Sequence, residues 1–452
     1  MQRSRAYRAS SVKKVTVATV VKNRDGKPAW VGCDVSKDEV LAVVRWGAGA
    51  FERPWRVENP AEIGQFVQLL AEVGRGRELT VALEPTGTYG DPLRQALSDA
   101  GLRVQRVSPK AAHDYAEVFD GVPSQHDGKD AAVVSELAAL GKSWEWPYQP
   151  RSDDDQELAY WVDWLEANQG TLNNWYGRLE SLLARHWPEA GQWVPLNSGT
   201  LLRCLQHYGG PAGVAADAGA SQRLRSWSGS ALAEEKLQGL VSSAGATQGV
   251  RAGVVEQRRL RDYAEKALYY RGEIAESRRQ LRAFSAGNAV LQRQAAAVGV
   301  VTACVLWVRL GSPEAYPCGA AYRKAMGLNL KERSSGRWQG RLMISKRGPS
   351  QVRRWLYFAV LRLIQHEGIR AWYAQKRAKD QDQAGRALIG VMRKLALALW
   401  QVGANAVPFE AWRLFPEGAL ESQELVEPRR AGESAGPKSV VGQQPNKLEV
   451  TM

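Results

Sequence analysis

The sequence predicts an α/β domain followed by a longer, mainly all-α region. Between residues 30 and 140, short apolar runs alternate with amphipathic stretches in the order β-β-β-α-β-α-β-α. This alternation is typical of a mixed sheet flanked by helices. Beyond residue 150, apolar residues recur at spacings of three and four, the period of an α-helix. A chain of 452 residues has room for several domains of ordinary size.

The elements of the α/β domain follow from local patterning. Apolar runs predict strands at residues 30–34, 41–44, 55–57, 80–84 and 104–107. Apolar residues at helical spacing predict helices at residues 61–73 and 91–100, a helix that begins at Pro109, and a helix over about residues 127–140. Gly101 is expected to end the second helix, because glycine readily adopts the left-handed conformation that closes a helix.

Two apolar seams with heptad spacing follow this domain. The first consists of Leu158, Trp161, Leu165, Asn168, Leu172, Trp175, Leu179 and Leu182, and the second of Leu260, Tyr263, Ala267, Tyr270, Ile274, Ser277 and Leu281. Asn168 is a polar residue that would set the register of the first seam. Each seam could be the core face of a helix within one chain, the two could pair as an antiparallel hairpin, or they could pair between chains. Between them, residues 209–249 predict short helices and loops.

The C-terminal part contains two further amphipathic patterns and a low-complexity tail. Apolar residues recur at helical spacing over residues 352–363 and again over residues 388–402, which predicts two helices. From residue 417 onward Pro, Gly, Ser, Gln and Glu dominate without any periodicity. This composition is typical of a disordered segment, because it has too little apolar surface to bury.

The charge of the chain indicates a nucleic-acid partner. Its formal net charge is +14 and its pI is about 9.6. Residues 323–394 hold 18 Lys and Arg against 4 Asp and Glu, an excess equal to that of the whole chain. Such a concentration predicts a phosphate-facing surface there. Residues 1–27 form a second basic segment, expected to be a mobile arm that contacts phosphates.

Cysteine spacing and hydropathy exclude other classes of protein. The cysteines are Cys33, Cys204, Cys304 and Cys318, and none forms a CxxC pair. This spacing indicates neither a disulfide framework nor a zinc site and is typical of a reducing cytoplasm. We expect no signal peptide and no membrane span, because no apolar run has the required length.

Four carboxylates stand where metal ligands are expected. Asp34 and Glu84 each end a predicted strand, the place at which α/β sheets bind ligands. Asp127 and Asp130 are three residues apart on a predicted helix and therefore face the same way. Clustered carboxylates repel one another unless a cation neutralises them, and hard oxygen ligands favour Mg²⁺ or Mn²⁺. The alternative is structural, with turn or capping roles for the strand ends and an ordinary acidic helix start.

A basic loop around two adjacent serines is the second candidate site. Ser334 and Ser335 precede Gly336, and the surrounding basic residues are Arg333, Arg337, Arg341, Lys346, Arg347, Arg353 and Arg354. Serine is a poor nucleophile at neutral pH, so a catalytic serine needs a base, a metal or charge stabilisation nearby. Arg and Lys would hold phosphate oxygens in such a reaction. The alternative is a solvated basic turn, because Ser-Ser-Gly is common in loops.

Several motifs together resemble one known family. The segments VGCDVSKDEV, ALEPTGTYGDPL, LRVQRVSPKAAHDYAEVFDG and HDGKDAAVVSELA resemble the RuvC-like DEDD domain of the IS110 family of insertion-sequence transposases, also called bridge-RNA-guided recombinases. The later segment MGLNLKERSSGRWQGRLMISKRGPSQVRRWLYFAV resembles the C-terminal transposase domain of that family. The resemblance covers residues 30–145 and 291–400, roughly half of the chain.

The resemblance implies a fold and a set of site residues. After the basic arm at residues 1–27, we expect an RNase H/RuvC-like mixed-sheet domain at 28–145, a helical coiled-coil domain at 150–290, a mainly helical transposase domain at 291–416, and the tail at 417–452. The catalytic carboxylates would be Asp34, Glu84, Asp127 and Asp130, which would all bind Mg²⁺ or Mn²⁺. The serine nucleophile would be Ser335, and the basic residues around it would bind nucleic acid.

The expected function is therefore a transposase that cuts and rejoins DNA through Ser335. The implied partners are donor and target DNA, a bridge RNA encoded by the element, and further copies of the chain in a dimer or tetramer. Because the family assembles as oligomers, the helical seams are expected to form a dimerisation arm, and the location is the bacterial cytoplasm, on the nucleoid. One alternative is a RuvC-like metal-dependent, structure-specific DNA nuclease in which Ser335 is structural. Another is a catalytically silent nucleic-acid-binding protein.

Overall fold

The computed structural model of the chain describes residues 8–85, 87–121, 126–332 and 342–414, apart from the side chains of residues 368, 412 and 413. The chain forms two compact units, Met1–Arg151 and Ser152–Met452, called the N-terminal unit and the C-terminal unit below. The predicted disordered tail at residues 417–452 lies outside the described residues.

A mixed β-sheet forms the centre of the N-terminal unit. Its strands within the described residues are β1 (Ser10–Ser11), β2 (Ala29–Val35), β3 (Glu39–Trp46), β4 (Trp55–Glu58), β5 (Leu79–Leu83), β6 (Arg103–Val107) and β7 (Ser143–Glu145). They lie in the order β1-β4-β3-β2-β5-β6-β7. The strand pairs β2–β5, β5–β6 and β1–β4 are parallel, and the other pairs are antiparallel. All five predicted strands are confirmed, and the two short edge strands were not predicted.

Helices cover this sheet, as the alternating pattern predicted. They are α1 (Val17–Val21), α2 (Ile63–Val73), α3 (Asp91–Asp99), α4 (Pro109–Asp120) and α5 (Asp127–Ala139). The apolar stripe of α2 is buried in the main core of the unit, together with the side chains of β2, β3 and β5. Gly101 follows α3 with a φ of 70°, in the left-handed conformation expected of a residue that ends a helix.

The basic N-terminal segment is less free than its charge suggested. Ser10 and Ser11 pair with Trp55 and Arg56 of β4. Val12 and Val20 are buried in the core of the unit. The expectation of a mobile arm is therefore wrong for residues 10–21. A count of charges does not show this packing, because the packing depends on the valines between the charged residues. These valines bury apolar side chains in the core of the unit.

Helices make up most of the C-terminal unit. Those that the structure describes are α6 (Asp153–His186), α7 (Ala190–Trp193), α8 (Gly199–Tyr208), α9 (Pro211–Ala216), α10 (Ala220–Ser228), α11 (Glu234–Gly245), α12 (Val254–Gly287), α13 (Ala289–Val298), α14 (Val300–Leu310), α15 (Gly319–Ala325), α16 (Ser350–Leu363), α17 (Glu367–Lys379) and α18 (Ala384–Ala404). The two amphipathic patterns predicted near the C-terminus correspond to α16 and α18. The region between the seams forms short helices α7 to α11, as predicted.

The two predicted seams lie on α6 and α12, each 34 residues long. Trp164 Nε1 donates a hydrogen bond to Glu273 Oε2 at 2.9 Å, and the rings of Trp175 and Tyr263 lie 5.2 Å apart. Residue numbers rise along α6 as they fall along α12, so the two helices are antiparallel. Asn168 is buried in this packing, and its Nδ2 has no hydrogen-bond partner among the described residues.

This hairpin shows that the two seams pair with each other within one chain, one of the alternatives the spacing allowed, and the dimerisation arm stays a prediction. Leu165 and Leu179 of α6 and Leu260 and Leu281 of α12 are fully buried within a single chain. Other seam residues, such as Trp161, Trp175 and Tyr263, are only partly buried in this packing. The heptad spacing correctly predicted two long helices. Whether two such helices pair within one chain or between chains depends on the path of α7 to α11, which the spacing does not reveal.

Helix α18 is long and apolar enough, by length and composition, to cross a membrane, although no such run was expected from the sequence. Half of its most apolar window is buried inside the protein. Val391, Leu395 and Leu399 have no exposed surface and belong to the main core of the unit. Packing of this kind is typical of a central core helix.

Candidate active site

Three of the four predicted carboxylates converge in the N-terminal unit. Asp34, Asp127 and Asp130 each offer a carboxylate oxygen, and these three atoms lie within 4.8 Å of one another. Asp34 lies near the end of β2, whereas Asp127 and Asp130 lie in the first turn of α5. The two helical aspartates face the same way because residues three apart share one side of a helix.

Glu84 stands beside this group rather than inside it. It follows β5 directly, and the register that pairs Cys33 with Leu83 places it next to Asp34 on the neighbouring parallel strand. Its pKa is raised by partial burial and by the charge of Asp130. Glu84 therefore interacts electrostatically with the aspartates, although the close group of carboxylates in the described residues comprises Asp34, Asp127 and Asp130 alone.

The environment of these carboxylates disfavours their charged forms. Burial raises the pKa of Asp34 to about 6, assisted by repulsion from Asp130, Asp127 and Glu84. Burial also raises the pKa of Asp130, assisted by Asp127 and opposed by Lys129 and His126. A group of acids with raised pKa values and little compensating positive charge carries an electrostatic cost at neutral pH. A cation bound among them would remove this cost.

The residues present fit a hard divalent cation. All the donor atoms are carboxylate oxygens, the ligands that Mg²⁺ and Mn²⁺ prefer. These three oxygens lie within 4.8 Å of one another, so Asp34, Asp127 and Asp130 could together hold one divalent ion. Asp127 is exposed and Asp34 is partly buried, so one side of the group is open to a substrate.

The approach of α5 to the sheet depends on Gly32. A Cβ atom added at Gly32 would overlap the carbonyl oxygen of Ala131 and the backbone nitrogen of Ser135. Helix α5 therefore crosses β2 with its backbone directly on the glycine, two residues before Asp34. This close crossing brings Asp127 and Asp130 to Asp34. Sequence reasoning missed this role, although a glycine inside a buried strand is a known signal of close backbone approach.

Lys129 holds the start of α5 in place. Its side chain is only 2% exposed, and its Nζ lies 2.7 Å from Oδ1 of Asp120 at the end of α4. The ion pair links the two helices across a connection of which residues 122–125 lie outside the described residues. Because Lys129 lies between Asp127 and Asp130 in the chain, it fixes the turn that carries both. The sequence analysis did not single out Lys129, since a lysine in a first helical turn is usually exposed.

The pKa of Asp34 predicts how stability depends on pH. Between its unfolded value of 3.8 and its folded value of about 6, the folded state keeps a proton that the unfolded state has lost. Stability of the metal-free N-terminal unit should therefore fall as pH rises through this window, by roughly 1 kcal/mol after allowance for solvent screening. Calorimetry in EDTA from pH 4 to 8 measures this fall. Asp34→Asn should flatten the profile, and an equally steep profile in that variant would contradict the assignment.

The predicted serine loop falls, in the chain, between two short paired strands of the C-terminal unit. Strands β8 (Leu330–Lys331) and β9 (Met343–Ile344) pair antiparallel, with Leu330 opposite Ile344. Five predicted site residues follow β8 in the chain and lie outside the described residues: Arg333, Ser334, Ser335, Arg337 and Arg341. The base of the hairpin is held by hydrogen bonds from Ser345 to Asn329 and from Lys346 to Gly327.

The four other predicted basic residues differ in their surroundings. Lys346 and Arg347 are exposed beside the hairpin base. Arg354 is exposed on α16 and pairs with Glu166 at 2.8 Å. Arg353 is partly buried and donates to the carbonyl oxygens of Met326, Gly348 and Pro349, and burial lowers its pKa. Arg353 therefore supports the backbone next to the hairpin.

Two further arginines were not among the predicted site residues. Arg393 of α18 donates from Nε to the carbonyl oxygen of Leu328, at 3.0 Å, just before β8. Burial lowers the pKa of Arg393, and the nearby charge of Arg323 lowers it further. Two guanidinium groups held close together next to the hairpin form a positive region that a phosphate could neutralise. In the sequence, the adjacent basic residues Arg393 and Lys394 were the signal that could have identified Arg393 as a site residue.

Comparison with known protein families places both sites within recognised domains. Residues 31–188 match the model of a DEDD transposase domain of IS110 elements. Residues 291–375 match the model described as the transposase IS116/IS110/IS902 family. No curated protein matches the chain. The first match contains all four carboxylates, and the second contains the hairpin with the two serines.

Proposed function

Because the two matches support an IS110-family transposase, we propose that the protein cuts and rejoins DNA with Ser335 as its nucleophile. A divalent cation, Mg²⁺ or Mn²⁺, would be held by Asp34, Glu84, Asp127 and Asp130. The observation that carries this proposal is the convergence of Asp34, Asp127 and Asp130 inside the region that matches a DEDD transposase domain. The proposed fold of residues 28–145 is the RNase H/RuvC-like fold, which the mixed sheet of the N-terminal unit suits.

The proposed reaction is a pair of transesterifications. The Ser335 hydroxyl loses a proton and attacks the phosphorus of a DNA phosphodiester, forming a serine–phosphate ester. The departing sugar oxygen takes the electron pair and is protonated. The free hydroxyl of another strand then attacks the serine–phosphate ester, which restores the phosphodiester and releases the serine. Each step breaks one P–O bond and forms another, so the reaction requires no external energy source.

Each group of residues has a role in this reaction. When bound, the cation would neutralise charge on the phosphate and activate the attacking oxygen. The carboxylates orient that ion, and their raised pKa values favour its binding. We propose that Arg333, Arg337, Arg341, Lys346 and Arg347 bind the DNA backbone, whereas Arg353 holds the hairpin base and Arg354 is paired with Glu166.

The partners are also part of the proposal. The net charge of +14 supports extensive contact with donor and target DNA, and the IS110 likeness suggests a bridge RNA that selects them. We propose a dimer or tetramer in which carboxylates of one copy meet Ser335 of another. The proposed location is the bacterial cytoplasm, on the nucleoid.

Loss of the metal site tests this function. Asp34→Asn removes one ligand charge without changing volume, so DNA cleavage in Mg²⁺ should fall by at least about 10³-fold. DNA binding measured in EDTA should stay within about two-fold, because phosphate contacts dominate affinity. The control is Asp38→Asn, an exposed carboxylate in the turn after β2, which should cleave normally. Full cleavage in excess EDTA would contradict the metal site.

A metal-dependent DNA nuclease is the second candidate, because the carboxylate group alone suits hydrolysis. In that case water would replace Ser335 as the nucleophile, and no covalent link between protein and DNA would form. The presence of a protein–DNA adduct therefore distinguishes the two functions.

A further inference from the structure

A groove of about 890 Å³ crosses the C-terminal unit between α6, α12 and α16. Its walls include Tyr176 of α6, Arg271 and Arg278 of α12, and Trp355, Phe358 and Arg362 of α16. None of its lining residues belongs to the carboxylate group or to strands β8 and β9. Its volume is within the range of ligand-binding sites in proteins.

Three arginines in this groove have no acidic partner. Arg271 donates to the carbonyl oxygen of Asn197 and to the Tyr176 hydroxyl at 3.3 Å. Arg362 donates to the carbonyl oxygen of Val298 at 2.8 Å, and Arg278 is exposed. In the described part of the chain, none of the three forms an ion pair with a carboxylate. The groove therefore carries uncompensated positive charge.

The carboxylate that lines the groove is already neutralised. Glu166 accepts hydrogen bonds from Arg354 and from Trp355 Nε1, both at 2.8 Å, and Arg309 approaches it to 3.8 Å. The negative charge of Glu166 is therefore neutralised by Arg354 and Arg309. The remaining guanidinium groups are left to bind an anion from outside the protein.

An aromatic face lies between these charges. Phe358 is 43% exposed, although it is a large apolar residue. Trp355 packs against it edge to face, with ring centres 6.2 Å apart, and is itself fixed by its hydrogen bond to Glu166. In one groove, an exposed aromatic ring offers a stacking surface for a base, and arginines without acidic partners offer donors for phosphates. This combination is typical of surfaces that bind single-stranded nucleic acid.

We propose that this groove binds a single strand of DNA, with a base stacked on Phe358 and phosphates held by Arg271, Arg278 and Arg362. Only an unpaired strand can present a base face to an aromatic ring, which excludes an intact duplex. DNA is chosen over RNA because the family matches indicate an enzyme that acts on DNA. The inference thus rests on the proposed function, in which strands are freed during cutting and rejoining.

The test measures binding of the full-length protein to a fluorescent oligo(dT) of about 20 nucleotides, in EDTA, over a range of salt concentrations. Arg278→Gln combined with Arg362→Gln should weaken binding about ten-fold. It should also lower the slope of log affinity against log salt by about 0.7 for each arginine removed. The matched control is Arg259→Gln combined with Arg282→Gln, which removes two exposed charges of α12 outside the groove lining. An equal loss in that control would overturn the proposal.

The stacking contact has its own test. Phe358→Ala should weaken oligo(dT) binding about ten-fold but leave binding to an abasic oligomer unchanged, because only the former offers bases. Tyr269→Ala is the control, since Tyr269 of α12 is 56% exposed and outside the groove lining. An equal loss with the abasic oligomer would show a structural effect and contradict stacking.

Two further results would overturn the assignment to single-stranded DNA. One is tighter binding of oligo(rU) that depends on the same residues, which would assign the groove to RNA. The other is a change in molecular mass of the arginine variants without a change in oligo(dT) affinity, which would assign it to contact between copies. Because the assay contains no metal and needs no cleavage, its outcome is independent of whether Ser335 is the nucleophile.

Discussion

Ser335→Ala should abolish the covalent protein–DNA adduct and strand exchange. The variant lacks the hydroxyl that would form the serine–phosphate ester, so the rate should fall by at least about 10³-fold. Ser334→Ala should reduce activity far less. Neighbouring residues in a loop point in different directions, so only one serine can meet the scissile phosphate. The resemblance to the IS110 family selects the serine before Gly336, and the small size of that glycine would allow DNA to approach closely.

The measurement is a denaturing gel of radiolabelled DNA incubated with the protein and Mg²⁺, with a protease digest to identify the adduct. Glu84→Gln should also remove the adduct, because the hydroxyl would lack activation by the metal site. If Ser335→Ala cleaves DNA at a normal rate while Asp34→Asn does not, the protein is a hydrolytic nuclease and Ser335 is structural.

Gly32→Ala should have the largest effect on the N-terminal unit. Its new methyl group would overlap the backbone of α5 at Ala131 and Ser135, and backbone atoms cannot rotate away as a side chain can. Overpacking of this kind costs about 3 kcal/mol. For a unit of this size the corresponding fall in Tm is about 10 °C. Affinity for Mn²⁺ should fall more than about ten-fold, because α5 carries Asp127 and Asp130 away from Asp34.

Differential scanning calorimetry and Mn²⁺ titration of the same samples measure both effects. Gly64→Ala in α2 is the control, because a Cβ at Gly64 would meet nothing within 4 Å. That variant should keep or slightly raise the Tm, since alanine favours the helix. Normal stability and normal Mn²⁺ affinity in Gly32→Ala would show that α5 does not depend on the glycine.

The local elements and the acidic positions were predictable from the sequence. Apolar alternation located the strands that carry Asp34 and Glu84, and the spacing of Asp127 and Asp130 placed both on one side of a helix. These predictions succeed because they depend on residues close together in the chain, whose periodicity reflects burial on one face. The motif order was specific enough to indicate the family before any fold was known.

Tertiary structure alone decided which of these residues meet. The approach of α5 to Gly32, the link between Lys129 and Asp120, and the pairing of α6 with α12 in one chain all join distant parts of the sequence. The tertiary structure also gives two arginines of α16 different surroundings. Arg353 donates hydrogen bonds to backbone carbonyl groups, whereas Arg362 lines the groove. Periodicity shows that a face will be buried, but the partner of that face is chosen by packing and by charge pairing across the whole unit.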